Sequence, residues 1–349
     1  MVGISDVAAQ AGVSKATASR ALSGSGSVSA STRERVRAAA VELGYVPSTS
    51  AVSLATGRTR NIGVVMPHVN RWFFAEVLEG IQVALLERGL DLTLYDATPG
   101  SATRRLVFEE FLARKRFDGL IAVGLEPAES ELERLIALGK PVVSVIGTQR
   151  RTSVVTLDDE HAAVLATAHL VSLGHRRIAF LGGSPGTHWP HVEVARYAGY
   201  EAEMTRAGLG DALMRVPAEL SMPAGYAAAV DLLGDPTVRP TGIVAACDEV
   251  AIGAIIAARR LGILVPSALS VVGIDDHVHA EMFSLTTLRQ VPHEHGRAAV
   301  ELLMRHLEDP DAEPVALSVK PRLVVRGSTA PVAGRHSAGA MDGGLSPER

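Results

Sequence analysis

From Asn61 onward the chain alternates short β-rich runs with amphipathic helical stretches, and part-way along it starts the pattern again. IGVVMP, FFAEVLEGIQVALLERG, LDLTLYDA, DGLIAVG and PVVSVIG are followed by a restart at RRIAFLGG that runs on through GIVAACD and SVVGIDD. Strands separated by helices must pair in parallel, because the chain crosses back over the sheet before each new strand. Each half carries the same spaced residues: Gly80-Ile81-x3-Leu85-x3-Gly89-Leu90 returns as Gly199-Tyr200-x3-Met204-x3-Gly208-Leu209. The expectation is two similar doubly wound lobes with a cleft between them, lined by the carboxyl ends of both sheets. A length of 349 residues suits a small head plus such a body. No apolar run approaches the roughly 18 residues of a membrane span. The N-terminus has no basic-then-apolar signal segment, and one Cys excludes an internal disulfide framework, so the expected setting is a reducing cytoplasm with no membrane contact.

Ahead of this body, residues 4 to 23 (ISDVAAQAGVSKATASRALS) read as two short helices around a Gly turn, the layout of a DNA-reading helix-turn-helix. Ala8 and Ala18 are small where two crossing helices must touch, and Gly12 suits the positive φ of the turn. Ser5 and Ser14 are placed to cap the two helices. A third helix is expected from Ser31, with Ser31 and Glu34 as a capping box, Val36, Ala40 and Leu43 as its apolar stripe and Gly44 as its stop. Ser48 to Thr56, closed by Gly57, is a candidate fourth helix. It is shorter than the roughly 12 to 15 residues an isolated helix needs in water and should be largely unfolded alone. Up to residue 60, Lys15, Arg20, Arg33, Arg35, Arg37, Arg58 and Arg60 face only Asp6, Glu34 and Glu42, in a chain whose net charge is −4. A basic head on an acidic body is the footprint of phosphate binding by the head alone.

DVAAQAGVSKATASRALSG, VSASTRERVRAAAVELGYVPS, SLATGRT, HLVSLGHRRIAFLGG, RYAGYEAEMTRAGL, CDEVAIGAI, LSVVGIDD and LTTLRQ occur in that order. On these segments the sequence resembles the lactose/galactose repressor family of bacterial transcription regulators, from residue 3 to about 328. The resemblance implies a small all-α helix-turn-helix head plus an α/β, periplasmic-binding-protein-like body of two doubly wound parallel-sheet lobes. It implies a head over 1–47, a hinge helix and linker over 48–59 and an effector-binding and dimerisation body over 60–328. Within the body the N-lobe would take about 60–158 plus 290–318, and the C-lobe about 159–289 plus 319–328. Residues 329–349, rich in Gly, Ala, Ser and Pro, are expected to form a disordered tail. The implied partners are a double-stranded, pseudo-palindromic DNA operator, a second copy of the chain and a small-molecule effector, most naturally a sugar. The tail has no leucine heptads that would pair dimers into a tetramer.

Carried over position by position, the family places Lys15, Ala16 and Arg20 against bases in the major groove, with Arg20 suited to bidentate pairing with guanine. Ser14, Thr17 and Ser19, with Thr32, suit phosphate contacts. In the hinge, Ser48, Ala51 and Leu54 are the implied DNA-binding residues, with Leu54 wedged into a central base step. For the effector, Asp275 matches an acceptor of hydroxyl hydrogens and Arg196 a donor to ligand oxygens. Trp72 and Phe73 offer an aromatic face, and Gln290 sits on a crossover between lobes. Cys247 stands where an Asn often binds ligand, so its bonds would pass to His68, Arg71 or His161, and an extra cation there would suit an acidic or phosphorylated sugar. The plain alternatives are that Arg20 is a solvated charge, Phe73 core, Arg196 structural and Asp276 a helix or turn cap.

No enzyme signature stands beside these. His188-x2-His191 is broken by Pro190, and neither it nor His277-x-His279 has Cys or acidic partners at ligand spacing. GGSPG at 182 to 186 is followed by no Lys-Ser or Lys-Thr, and no G-x-S-x-G elbow occurs. No catalytic residue, metal or cofactor is expected. The body alone would also suit a sugar-binding transport protein, and the basic head argues against that.

Overall fold

The computed structural model describes residues 2–23, 27–45, 57–147, 152–183 and 190–332. The head is three helices, α1 (Ile4–Gln10), α2 (Lys15–Ser23) and α3 (Ala30–Glu42), closed on Val7, Ala8, Ala11, Ala18, Ala21, Val36, Ala39 and Ala40. Six of these eight are alanine, which lets short helices cross closely without long side chains to fill the gap. Gly12 (φ 63°) makes the turn, Ser14 Oγ accepts the Thr17 N–H at 3.1 Å, and Gly44 (φ 62°) ends α3.

Two caps differ from expectation. α1 begins after Gly3, whose N–H donates to the Asp6 carboxylate at 2.8 Å, and Ser5 lies inside the first turn. The earlier start brings Ile4 onto the head core, and a carboxylate three residues on is the stronger acceptor. Likewise Ser29, not Ser31, caps α3 and accepts the Thr32 N–H at 3.2 Å. Capping there places Val28 immediately before the helix, packed on the same core.

The body holds two six-stranded sheets. The first runs, in spatial order, β11 (Ala316–Val319), β5 (Ser153–Leu157), β4 (Val142–Val145), β3 (Gly119–Val123), β1 (Asn61–Met66) and β2 (Asp91–Asp96). The second runs β12 (Arg322–Val324), β10 (Thr286–Arg289), β9 (Ser270–Asp275), β8 (Gly242–Ala245), β6 (Ile178–Leu181) and β7 (Met214–Val216). β1 pairs in parallel with β2 and β3, β5 with β11, and β6, β8, β9 and β10 with their neighbours, whereas β12 runs antiparallel on β10. The helices are α4 (Trp72–Leu86), α5 (Ala102–Leu106), α6 (Glu129–Ala137), α7 (Asp159–Ser172), α8 (His191–Arg206), α9 (Met222–Gly234), α10 (Asp248–Arg260) and α11 (Pro292–Glu308). β3, β6, β8 and β9 are buried along their whole length, as expected of strands covered on both faces.

The recurring glycine pattern has a physical cause at every position. A Cβ on Gly80 of α4 would stand 2.0 Å from the His293 carbonyl, and one on Gly199 of α8 would stand 2.1 Å from that of Glu160. Ile81 and Leu85, and likewise Tyr200 and Met204, are buried. Gly89 (φ 64°) and Gly208 (φ 71°) then end the helices in the left-handed conformation, and the Leu90 and Leu209 amides close the turn on Leu85 and Met204. A second close approach joins α9 to α10. A Cβ on Gly225 would lie 2.6 Å from the Val250 carbonyl, and one on Gly253 would lie 2.4 Å from that of Met222.

Residues 329–332, which fall within the expected disordered tail, are ordered by hydrogen bonds. Ala330 N–H donates to Ser270 Oγ, its carbonyl bonds His175 Nε2, Thr329 Oγ1 bonds His169 Nε2, and Val332 N–H donates to Leu173. Ser270, His169, His175 and the Leu173 carbonyl thus hold Thr329, Ala330 and Val332, which composition alone marks as loose. The expected hinge helix, Ser48 to Thr56, lies outside the described residues, as do His188 and residues 333–349. The chain just ahead of β1 is tied to its sheet: both oxygens of Asp118 accept consecutive amides, Thr59 and Arg60, at 2.8 Å each.

Candidate DNA-reading helix and buried polar cluster

α2 turns Ala18 and Ala21 inward, which leaves Lys15, Ala16 and Arg20 exposed on its outer face, with Ser14 just before it and Thr17 and Ser19 half-buried. Ser14 Oγ and Thr17 Oγ1 are 2.9 Å apart, so the hydroxyl that caps the helix also fixes its neighbour. Arg20 Nε donates to the Ala16 carbonyl at 3.1 Å, folding the guanidinium back along the helix. That bond is exposed and is readily exchanged for a base edge. Six of the seven head positions expected to contact DNA therefore lie on α2 or at its start, and the seventh, Thr32, lies in the first turn of α3. Ser48, Ala51 and Leu54 fall outside the described residues.

A second concentration of chemistry is buried. Arg196 on α8 is 4% exposed. Its Nε and Nη2 each lie 2.8 Å from Asp159 Oδ1 at the start of α7, Nη1 donates to the Ala246 carbonyl, and Nη2 stands 3.8 Å from Asp275 Oδ1 at the end of β9. Gln290 Nε2 donates to the same Asp275 oxygen. Asp275 (φ 133°) and Asp276 (φ 60°) both hold backbone conformations unusual for side-chain-bearing residues, a strain that concentrates at functional sites. Asp276, expected as a cap, instead pairs with Arg289 and with Arg326, the latter at 2.6 Å. The sharp exit from β9 turns its carboxylate to those cations.

Asp248, the first residue of α10, accepts from Thr287 Oγ1 at 2.6 Å and from the His277 N–H at 2.8 Å, against a β9 residue, Gly273, that has no side chain to obstruct it. Burial pushes both Asp248 and Asp275 above the usual carboxylate range, with the charge of Asp275 adding to the first and Arg196 and Gln290 pulling the second back against Asp159 and Glu249. Burial raises Asp159 as well, against the pull of Arg196. Arg196 is held above its ordinary value because Asp159 and Asp275 outweigh its own desolvation. Cys247, buried beside Asp275, keeps its proton for the same two reasons of burial and like charge.

Trp72 is half-buried with its ring 4.6 Å from that of His277, and its backbone N–H donates to Glu249, so α10 caps α4. Phe73 lies 6.4 Å from His295, ring to ring. Burial pushes His277 and His295 down to about 4, so both are neutral near pH 7. His277 Nδ1 accepts the His279 N–H at 3.0 Å, which occupies that nitrogen within its own loop. Of the expected effector residues, Arg196, Asp275, Gln290 and Cys247 are brought together, with Trp72 and Phe73 on α4. His161 is exposed on α7, its amide donating to Asp158, and His68 is half-buried on the loop after β1. Sequence reasoning missed Asp159, Asp248, Glu249 and His295. Asp159 and Asp248 each follow a strand run and open a helix, which is the signal that would have found them.

Residues 3–48 match the profile of bacterial regulatory proteins of the lacI family, and residues 167–329 match that of a periplasmic binding protein-like domain. Over 346 residues the chain is 36% identical to the HTH-type transcriptional regulator MalR of Streptomyces coelicolor, covering 95% of this chain and 97% of that one. The chain belongs to the lacI family of bacterial regulatory proteins. Among solved structures it resembles the lac repressor dimer bound to operator and the anti-inducer ONPF, with a TM-score of 0.82, 27% identity, and coverage of 94% of this chain and 99% of that one. It also resembles the complex of transcriptional regulator CelR with cellobiose, with a TM-score of 0.69, 30% identity, and coverage of 94% and 100%. The helix-turn-helix head and periplasmic-binding-protein-like body expected from the sequence are the fold of this family. Its members here are transcriptional regulators and not enzymes. No described helix is long and apolar enough to cross a membrane.

Proposed function

We propose that the chain is a cytoplasmic transcriptional repressor that binds a pseudo-palindromic operator as a homodimer and whose affinity for DNA is set by a sugar held at the Arg196 cluster. In this reading 1–47 is the DNA-binding head, 48–59 the hinge and linker, and 60–328 the effector-binding and dimerisation body. Lys15, Ala16 and Arg20 meet bases, and Ser14, Thr17 and Ser19 position the helix on phosphates. Two relatives supply context: the lac repressor was solved as a dimer on its operator, and CelR with cellobiose.

The observation that carries the reading is the use of Asp275. Every side-chain bond described for it goes to Oδ1, which leaves Oδ2 to accept ligand hydroxyls while Gln290 and Arg196 hold the carboxylate in place. A sugar bound there changes DNA affinity only as far as it prefers one DNA-binding state of the protein over another. The test is an operator titration with DNA from upstream of the chain's own gene, with and without a panel of sugars. One sugar is expected to shift the affinity ten-fold or more, equal to about 1.4 kcal/mol. Asp275→Asn should abolish that shift and leave sugar-free DNA binding intact. A protein that binds sugar with no change in DNA affinity would contradict the regulatory link.

A further inference from the structure

The amino ends of β1 and β3, where the chain arrives from the head, carry a group of cations in a body whose net charge is negative. Arg58 and Arg60 precede β1, Arg114, Lys115 and Arg116 lie just ahead of β3, and all five are exposed. β1 and β3 are parallel neighbours with Ile62 opposite Gly119, so the two groups share one edge of the sheet. Bonds between them hold that edge together. Besides accepting the Thr59 and Arg60 amides, Asp118 donates its own N–H to the Asn61 carbonyl, and Asn61 Nδ2 donates to the Arg116 carbonyl at 2.7 Å. The acids of this edge are Asp91, which opens β2 opposite Asn61, Glu110, 3.6 Å from Arg114, and the buried Asp118, taken up by two amides. Positive charge is in excess. Arg88 is not counted, because it stands 4.0 Å from Glu87 and lines a pocket with Arg305, Glu301 and Glu308.

Part of this charge has no use inside the body. Arg60 bonds the Gly89 carbonyl and Arg114 lies over the Phe111 ring, whereas among the described residues the Lys115 and Arg116 side chains have no hydrogen-bond or carboxylate partner. Arg60 (φ 54°) and Lys115 (φ 49°) also hold the left-handed conformation, which Gly or Asn adopts at lower cost. A cation stands at each position although the backbone favours another residue. The head is joined to the body through residues 46–56, which enter at this edge, so DNA held by the head is tethered to it by a chain of at most roughly 40 Å. Exposed cations without internal partners neutralise phosphates and break no existing pair. We propose that Lys115 and Arg116, with Arg58 and Arg60, form a second phosphate-binding surface, so that the body as well as the head contacts the DNA backbone. This extends to the body the phosphate binding that composition assigns to the head alone, and it rests on the operator reading above. Such contacts add affinity and no sequence discrimination.

The test titrates the full-length protein with DNA from upstream of its own gene and with a scrambled duplex of the same length, over salt from about 50 to about 200 mM. Wild type is compared with Lys115→Gly, Arg116→Gln and Lys320→Gln, the last removing an exposed cation just past the carboxyl end of β11. With one such residue on each protomer of a dimer, Lys115→Gly and Arg116→Gln should each lower the slope of log affinity against log salt by about 1 to 2. That corresponds to a deficit of roughly ten-fold at the lowest salt that nearly vanishes at the highest. The loss should be equal on both duplexes. Lys115→Gly should melt no lower than wild type, since Gly accepts the left-handed φ, and this separates a lost contact from a lost fold. Lys320→Gln should change neither affinity nor slope. Affinity and slope unchanged in Lys115→Gly and Arg116→Gln overturn the proposal and leave the operator reading standing. An equal loss in Lys320→Gln also overturns it, by assigning the effect to net charge, as does a loss confined to the upstream duplex, which would mean sequence reading. Failure of wild type to bind either duplex overturns the operator reading, and this inference with it.

Discussion

The head and the Arg196 cluster solve opposite problems. The head keeps its interior free of charge, with alanines and two valines inside and Lys15 and Arg20 outside, and the residues expected to read DNA share one nine-residue helix. The cluster places Arg196 and three acids, Asp159, Asp248 and Asp275, in the interior, drawn from the starts of α7 and α10, the middle of α8 and the end of β9. A surface that reads DNA works in solvent, where each charge is already hydrated, so neighbours in sequence suffice. A buried charge needs partners on several sides, which only distant segments supply.

The largest test of this contrast is Arg196→Ala, which leaves Asp159 and Asp275 buried without their cation. It should destabilise the body by about 3 to 5 kcal/mol, read as a fall in the melting temperature, while changes on α2 leave that temperature alone. Next comes acid. His295 titrates near 4 when folded and near 6.5 when unfolded, so below 6.5 the unfolded chain takes up a proton that the folded one refuses. Stability is lost as pH falls through that window, by roughly 3 kcal/mol at full effect for His295. Asp248 and Asp275, raised when folded, act in the opposite sense as pH falls. The informative quantity is therefore the difference between wild type and His295→Leu, whose melting temperature should fall less with acid.

Arg20→Ala should cost about 1 to 3 kcal/mol of operator discrimination with the melt unchanged, measured by competing specific against scrambled DNA. Equal loss on both sequences would place Arg20 on phosphate. The smallest effect separates the two candidate caps. Ser29→Ala should lower head stability by about 1 kcal/mol, and Ser31→Ala by far less, in hydrogen exchange of α3 amides.

The same contrast explains what could be read beforehand. Strand runs, the doubly wound alternation, the helix pair around Gly12 and the repeated glycines are local patterns, and each was legible because spacing along the chain is what determines it. Ser5 misled because the Asp6 carboxylate makes the cap bond at the earlier start that packs Ile4, and Ser31 because Ser29 competes with it at the start that packs Val28. Ala330 was assigned to a loose tail because its partners Ser270 and His175 are far away in sequence. Asp275 and Arg196 were found by resemblance. Asp159 carried only the general signal of a residue that opens a helix after a strand, and His295 carried none, since nothing near it in sequence announces which groups surround it.

The crossing of α9 and α10 reaches further than its size. At Gly225 and Gly253 the two backbones meet with only hydrogen atoms between them, so the spacing there has almost no tolerance. Gly253 lies about 7.5 Å along the α10 axis from Asp248. It serves as a datum face from which the first turn of α10 is measured, with Asp248 against Thr287 and Glu249 against Trp72. Any added methyl group at the datum would appear as misplacement of those acids, and the accuracy of the cluster is thus fixed more than a helical turn away from them.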